Sequence, residues 1–214
     1  GVEIYQGVII KATTGSVSIT GRTTTSGYQA LRIAGATGDS LITSGKTSGT
    51  AVSLRGIYST GAAQWGFVAE DDDLTISATG GGDVVVEALD ATSGLNSKIY
   101  LTRSTVTAAS GGRVQVRATG RVEIHNSTVT TAGPSAGVGG GISIWSDSDN
   151  NKAGSIYIVQ PTCISTTSNC TNAVSTGGSR IVIGGGAADA SDSFFPGGGA
   201  VARSGSTVGV QIGS

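Results

Sequence analysis

The sequence predicts an all-β chain wound into a parallel β-solenoid, and three observations carry that prediction. Among the 214 residues there are 36 glycines, three prolines and no methionine, and only 5% of the residues are aromatic and 13% charged. Val, Ile and Thr are frequent, whereas long straight-chain helix formers are scarce, which favours strands and tight turns over helices. Short segments alternate apolar and polar residues, as half-buried strands do. Near-copies of these segments recur along the chain, which is the signature of a repeat architecture.

The clearest repeat consists of three segments that align without gaps. They are SKIYLTRSTVTAAS (97–110), GRVEIHNSTVTTAG (120–133) and GSIYIVQPTCISTT (154–167). Each has two alternating apolar residues followed by a third, and the predicted inward triplets are Ile99, Leu101 and Val106; Val122, Ile124 and Val129; and Ile156, Ile158 and Cys163. In a coil that stacks on itself, these triplets lie above one another in one apolar interior.

A second repeat consists of short strands that begin at glycine pairs. Its copies are GGDVVVEA (from 81), GGRVQVRA (from 111), GGISIWS (from 140) and GGSRIVIG (from 177). Near the amino terminus, SGYQALRIAG (26–35) aligns with SGTAVSLRG (48–56), and GSVSITG (15–21) is a further copy. The spacing predicts rungs of about 20–30 residues and about eight rungs in all, stacked at the spacing between hydrogen-bonded strands.

An antiparallel β-sandwich is the structural rival, since short strands with glycine-rich turns also fit that class. The resemblance between repeats and the lack of Asn-Gly or Asp-Gly hairpin turns favour the solenoid. No composition shift divides the chain, so residues 1–214 are predicted to form one domain. The segment 184–200 is predicted to be a long loop or a frayed end.

Charge and composition exclude several functional classes. The net charge of −1 leaves no basic field for nucleic acid. No apolar run approaches the length of a membrane helix. The absence of methionine indicates a processed product or an excised segment of a longer protein.

The two cysteines, Cys163 and Cys170, flank a short polar stretch. This arrangement predicts a disulfide that pins a surface loop in an oxidising compartment. Two unrelated buried thiols are the alternative. A zinc site would need more Cys or His ligands than the sequence provides nearby.

The stretch GGRVQVRATGRVEIHNSTVTTAGPSAGVGGGISIWS (111–146) resembles the filamentous-haemagglutinin-like exoproteins of bacterial two-partner secretion. The resemblance implies a right-handed parallel β-helix that passes through an outer-membrane transporter partner and folds outside the cell. It further implies a secreted or surface-bound virulence-type protein, attached to a host or bacterial surface protein or glycan. The amino-terminal secretion module of that family carries Asn-Pro motifs, and this chain has none, which indicates an internal rod segment.

Catalysis is weakly signalled, and the sequence predicts a non-catalytic protein without cofactors. A carbohydrate-active β-helix, a polysaccharide lyase or hydrolase, is the enzyme alternative, with paired carboxylates drawn from Glu70, Asp71, Asp72 and Asp73. Their place directly before a strand is typical of a solvated turn. The single histidine, His125, is predicted to be exposed and to have no catalytic role. A fibre or assembly module is the third alternative.

Two weaker site candidates remain. Asp147, Asp149 and Asn151 resemble the opening of a calcium loop, although Ile158 stands where such a loop has its glutamate, and an Asp/Asn-rich turn explains the same residues. Strand alternation predicts that Tyr100, Trp145 and Tyr157 face solvent, where they suit contacts with sugars or proteins.

Overall fold

A computed structural model describes residues 1–5, 7–25, 27–34, 39–59, 65–70, 73–92, 96–109, 111–131, 140–159, 162–165, 174–175, 179–199 and 209–213. At 174–175 it describes the backbone only. This part of the chain contains 21 strands and no helix. No helix that could cross a membrane occurs within it.

The strands form three seven-stranded sheets, and the chain visits them in turn. Sheet A contains β1 (Val2–Tyr5), β4 (Leu31–Ala34), β7 (Trp65–Ala69), β10 (Lys98–Thr102), β13 (Val122–His125), β16 (Ile156–Val159) and β21 (Val210–Ile212). Sheet B contains β2 (Ile9–Ala12), β5 (Leu41–Ser44), β8 (Leu74–Ala78), β11 (Ser104–Ala108), β14 (Thr128–Thr131), β17 (Cys163–Ser165) and β18 (Val174–Ser175). Sheet C contains β3 (Val17–Thr23), β6 (Thr50–Tyr58), β9 (Asp83–Asp90), β12 (Val114–Ala118), β15 (Ile142–Ser146), β19 (Ile181–Ala188) and β20 (Pro196–Gly198).

The predicted all-β parallel solenoid is confirmed. Every strand pair is parallel except β19 with β20, and Ile99 pairs with Val122, which pairs with Ile156. The predicted count of eight rungs is not confirmed, since each sheet contains seven strands in the described part of the chain. The short turn from Ile99 to Val122 fits the predicted rung length, whereas the turn from Ile156 to Val210 is much longer.

The core is the stack of aliphatic side chains that the alternation predicted. Ile99, Leu101 and Val106 are fully buried, as are their partners in the next turn. Each layer therefore rests on a near-copy of itself, and few side chains in this interior need a polar partner.

Two alignments made from the sequence are wrong. Val129 pairs with Ile164 and Thr128 with Cys163, so Ile164 and not Cys163 enters the core. One more residue separates Ile158 from its inward partner than separates Ile124 from Val129, which shifts the sequence alignment by one. The segments 26–35 and 48–56 are not equivalent either, because β4 belongs to sheet A and β6 to sheet C.

The segment 184–200, predicted as a loop, contains the end of β19 and all of β20, which form an antiparallel hairpin. Its connecting residues return across the outer face of sheet C. Phe195 is buried there under the Arg180 guanidinium, 4.4 Å from the ring centre, and the Gln115 amide donates to the Phe194 carbonyl at 2.6 Å. Burial of an aromatic side chain explains why this polar-looking segment is folded onto the sheet.

Candidate ligand-binding surface

The outer face of sheet A carries a column of side chains set by the strand register. Tyr100 pairs with Glu123, and Glu123 pairs with Tyr157. On the preceding turns, Glu3 pairs with Arg32 in the same column. Because parallel strands stack in register, polar and aromatic groups far apart in sequence become neighbours on one flat surface.

Three rings lie against one another on this face, and we call Trp65, Tyr100 and His125 the aromatic ladder. The Trp65 and Tyr100 ring centres are 5.4 Å apart, and those of Tyr100 and His125 are 5.2 Å apart, both tilted. The Lys98 ammonium lies 5.4 Å from the Trp65 ring centre. These separations are in the favourable range for aromatic and cation–π contacts, so the ladder is a preorganised feature of the surface.

A groove of about 530 Å³ lies beside the ladder and is lined by Tyr5, Arg32, Glu70, Tyr100 and Arg103 among others. The Tyr5 side chain is 64% exposed at one wall. The groove therefore combines exposed aromatic surface with charged hydrogen-bonding groups, and it is open to solvent.

Arg32 joins this groove to a second one. Its guanidinium bonds Glu3 at 2.5 Å and Glu70 at 3.3 Å. The hydrogen bond from Arg32 to Glu3 is the main cause that raises the pKa of Arg32 above its ordinary value, with Glu70 adding to it. The second groove, about 330 Å³, is lined by Glu3, Arg32 and the 66%-exposed Tyr28. The two grooves share Arg32, and we call them together the sheet A surface.

The three aromatic residues predicted as surface contacts differ in how far they are exposed to solvent. Tyr100 and Tyr157 lie half-buried in the same column of sheet A, and Arg121 lies 4.7 Å from the centre of the Tyr157 ring. Trp145 faces outward from sheet C, as alternation requires, but its predicted exposure is wrong: it is 2% exposed. The Arg117 guanidinium lies 5.3 Å from its ring, and its indole N–H donates to the Gly186 carbonyl at 2.9 Å.

His125 is more enclosed than predicted. Its side chain is 31% exposed, its ring contacts Tyr100, and its Nε2 lies 3.5 Å from a Glu123 carboxylate oxygen. Trp65, Tyr5 and Arg32 also belong to this surface, and the sequence did not predict them there. None lies in the aligned repeats that located Tyr100 and Tyr157, and only the register of sheet A brings all of them together.

The carboxylate cluster considered for the enzyme alternative is only partly within the described residues. Glu70 is paired with Arg32, and Asp73 is exposed in a turn with φ of 68°. Asp71 and Asp72 lie outside the described residues. The enzyme alternative, which needs two of these carboxylates side by side, therefore stays a hypothesis.

The calcium candidates lie in the turn after β15, and we call residues 147–153 the acidic turn. Asp147 is fully buried, and its Oδ1 accepts from the Ala153 N–H at 3.3 Å. The Asn151 amide donates to Asp149 at 2.7 Å and to Asn96 in the turn after β9 at 3.2 Å. Asn151 thus positions Asp149 through its N–H group. Among the described residues, no group of three or more His, Cys, Asp and Glu side chains is placed to hold a metal.

The acidic turn has a predicted pH signature. Burial raises the pKa of Asp149, and the charges of Asp147 and Asp90 raise it further. The Asp149 carboxylate therefore binds a proton more tightly in the folded state than in the unfolded chain, where the pKa of an aspartate is about 3.9. In metal-free buffer, this group should make folding less favourable as the pH rises from about 4 through the raised pKa. Asn does not titrate, so the unfolding free energy of Asp149→Asn should rise relative to that of the parent protein as the pH increases through this range. Urea unfolding at several pH values measures the difference. A constant difference in unfolding free energy would contradict this.

Cys163 is buried at the start of β17 and is disulfide-bonded. The residue predicted as its partner, Cys170, lies outside the described residues. The predicted pairing between the two therefore stays a prediction.

No protein-family model, curated protein or solved structure matches this chain. What the sheet A surface and the acidic turn can bind therefore follows from the distances, burial and charges of their own residues.

Proposed function

We propose that this chain is a non-catalytic rod segment of an adhesin-like exoprotein, secreted or held at a bacterial surface. In this proposal it mediates attachment to, or display towards, a glycan or protein on a host or bacterial surface. It resembles the filamentous-haemagglutinin-like exoproteins, and an outer-membrane transporter would be its partner in secretion. Right-handed winding belongs to the same proposal, since parallel crossover connections are right-handed in about 98% of cases. The observation that carries it is the sheet A surface, in which exposed tyrosines border two grooves that share Arg32.

The chemistry of that surface favours a carbohydrate. Tyr5, Tyr28 and Tyr100 border the two grooves, and tyrosine presents an apolar ring face together with a hydroxyl. Arg32 stands between the grooves with donors in a fixed fork, and Glu70 supplies acceptor oxygens. Sugar rings need both an apolar surface to stack on and polar groups for their hydroxyls, and this surface offers both.

The solenoid supports such a role because it is rigid. Each strand is hydrogen-bonded to the turns above and below, and the aliphatic core is continuous from β1 to β16. A ligand that binds here meets Arg32 and Tyr100 already held by their neighbours, so little entropy is lost on ordering these two side chains. Long rods that repeat such surfaces can attach at several points at once.

The proposal is tested by probing a glycan array and intact cells with labelled protein. We expect binding by the parent protein, and a loss of about tenfold or more for the double variant Tyr5→Ala/Tyr100→Ala, since one stacking contact is worth roughly 1 kcal/mol or more. Ile9→Ala is the matched control, because Ile9 is 68% exposed on sheet B, away from the grooves. It should bind as the parent does.

Three outcomes would overturn the proposal. The parent protein could bind no glycan and no cell, or the double variant could bind as tightly as Ile9→Ala. Shortening of a bound polysaccharide would favour the lyase or hydrolase alternative instead, and Asp73→Ala would then be the first variant to assay.

A further inference from the structure

Two carboxylate oxygens in the acidic turn are buried and have no hydrogen-bond donor. They are Oδ2 of Asp147 and Oδ1 of Asp149. The Asp147 residue is entirely buried, and only its other oxygen has a partner, the Ala153 N–H. A buried carboxylate oxygen without a partner has lost its water and gained no donor, so native proteins rarely leave one in this state.

The negative charges near Asp149 repel one another. Burial raises the pKa of Asp149, and the charges of Asp147 and of Asp90 at the end of β9 raise it further. The Asp90 oxygens accept from the Asn96 and Ser97 N–H groups and are already satisfied. The arrangement thus concentrates negative charge at a buried point and supplies donors to only some of its oxygens.

The backbone of the turn holds this arrangement in place. Asp147, Asn150 and Lys152 all have positive φ, and Gly154 lies so close that a Cβ there would be 2.5 Å from the Asp147 nitrogen. Asn151 ties Asp149 to Asn96 of the neighbouring turn. A group bound between Asp147 and Asp149 would therefore stabilise the acidic turn and, through Asn151, its contact with the turn after β9.

We propose that the unpartnered oxygens of Asp147 and Asp149 bind a calcium ion that stabilises the acidic turn, which Asn151 links to the turn after β9. Calcium takes six to eight oxygen ligands in flexible geometry, and two carboxylates balance its charge. The other ligands would be neutral oxygens, since the described residues place no third His, Cys, Asp or Glu side chain at this point. Asn151 is a positioning residue in this site. The inference does not depend on the proposed function, because a calcium ion that stabilises this turn serves the solenoid whatever its outer faces bind.

The experiment measures calcium binding and thermal unfolding on protein stripped of divalent ions. Isothermal titration with CaCl₂ is expected to show one site, with a dissociation constant of about 0.1–1 mM, as in extracellular calcium modules. About 5 mM CaCl₂ should raise the unfolding midpoint by roughly 5 °C relative to EDTA. MgCl₂ at the same concentration should raise it much less, because magnesium demands a stricter octahedral geometry.

Variants assign the effect to these residues. Asp147→Asn and Asp149→Asn should each weaken calcium binding at least tenfold and remove most of the midpoint shift. Asparagine tolerates positive φ, so Asp147→Asn preserves the backbone of the turn. Asp73→Asn is the matched control, since Asp73 is another aspartate with positive φ in an exposed turn. It should bind calcium as the parent does.

The proposal is overturned if CaCl₂ gives neither binding heat nor a midpoint shift, or if both Asn variants bind calcium like the parent. Equal effects of calcium and magnesium would overturn the assignment to calcium. If Asp147→Asn fails to fold, Asp149→Asn decides the question alone, because Asp149 is only partly buried. Failure here leaves the sheet A surface untouched, so the two proposals stand or fall separately.

Discussion

Gly56→Ala is expected to destabilise the protein by about 3 kcal/mol, near the upper end for overpacking a core. A Cβ at Gly56 would lie 1.8 Å from the Gly66 carbonyl oxygen and 2.4 Å from its carbonyl carbon. Both atoms belong to backbone, so no side chain can rotate away. β6 is also paired on both sides, Gly56 with Gly21 and with Ala88, and it cannot shift without breaking two ladders.

Gly15→Ala is the control for this substitution. A Cβ at Gly15 would meet no atom within 4 Å, and Gly15 is not in the positive-φ region. We expect its unfolding free energy to stay within about 0.5 kcal/mol of the parent value. Urea unfolding followed by circular dichroism measures both variants. Equal stabilities would show that the backbone of β6 can move away from Gly66 of β7 at little cost in free energy.

The sequence predicted most of the side chains that enter the core, although it placed Cys163 there instead of Ile164. Val84, Val114 and Ile142 stack in register as the glycine-pair repeats required, because an apolar alternation leaves one face that must be buried. Positions facing outward were harder. Alternation tells which way Trp145 points, but part of its cover comes from Gly186 within β19, and no local pattern relates Gly186 to Trp145.

The candidate surface shows the same limit. Tyr100 and Tyr157 were found because they stand in the three gap-free repeats. Arg32 stands in a segment that was aligned with a strand of another sheet, and Trp65 stands in none of the aligned repeats. The number of residues between strands of sheet A varies from turn to turn, and the sequence repeat fades where loops are inserted. Register between distant strands is set by these loops and by the core, so it could not be derived from the outward residues themselves.

Buried charge on the opposite sheet is the second place where a single substitution should have a large effect. Glu87 is 2% exposed on β9, and its side chain lies between two arginines from the neighbouring strands. Arg55 donates to its Oε2 from Nε at 2.7 Å, and Arg117 forms an ion pair with its other oxygen. Arg117 in turn stacks on Trp145. Glu87 therefore holds together the outer faces of three successive turns.

We expect Glu87→Gln to cost about 2 kcal/mol of unfolding free energy. Removing one member of a buried ion pair typically costs about 3–5 kcal/mol. The value here should be lower because Arg55 and Arg117 keep 41% and 27% of their side-chain surface in solvent and are partly rehydrated. The loss of negative charge also leaves two arginines facing each other across β9, which water can only partly relieve.

Glu3→Gln supplies the comparison, since Glu3 pairs with Arg32 at 2.5 Å but keeps 40% of its side-chain surface exposed. Exposed ion pairs contribute about 0–1 kcal/mol, so this variant should stay near the parent. A double-mutant cycle with Glu87→Gln and Arg117→Gln should show coupling of roughly 1 kcal/mol or more, because the two side chains are in direct contact. If Glu87→Gln and Glu3→Gln destabilise equally, burial does not strengthen the pairing at Glu87, and the aliphatic stack alone holds the turns of sheet C together.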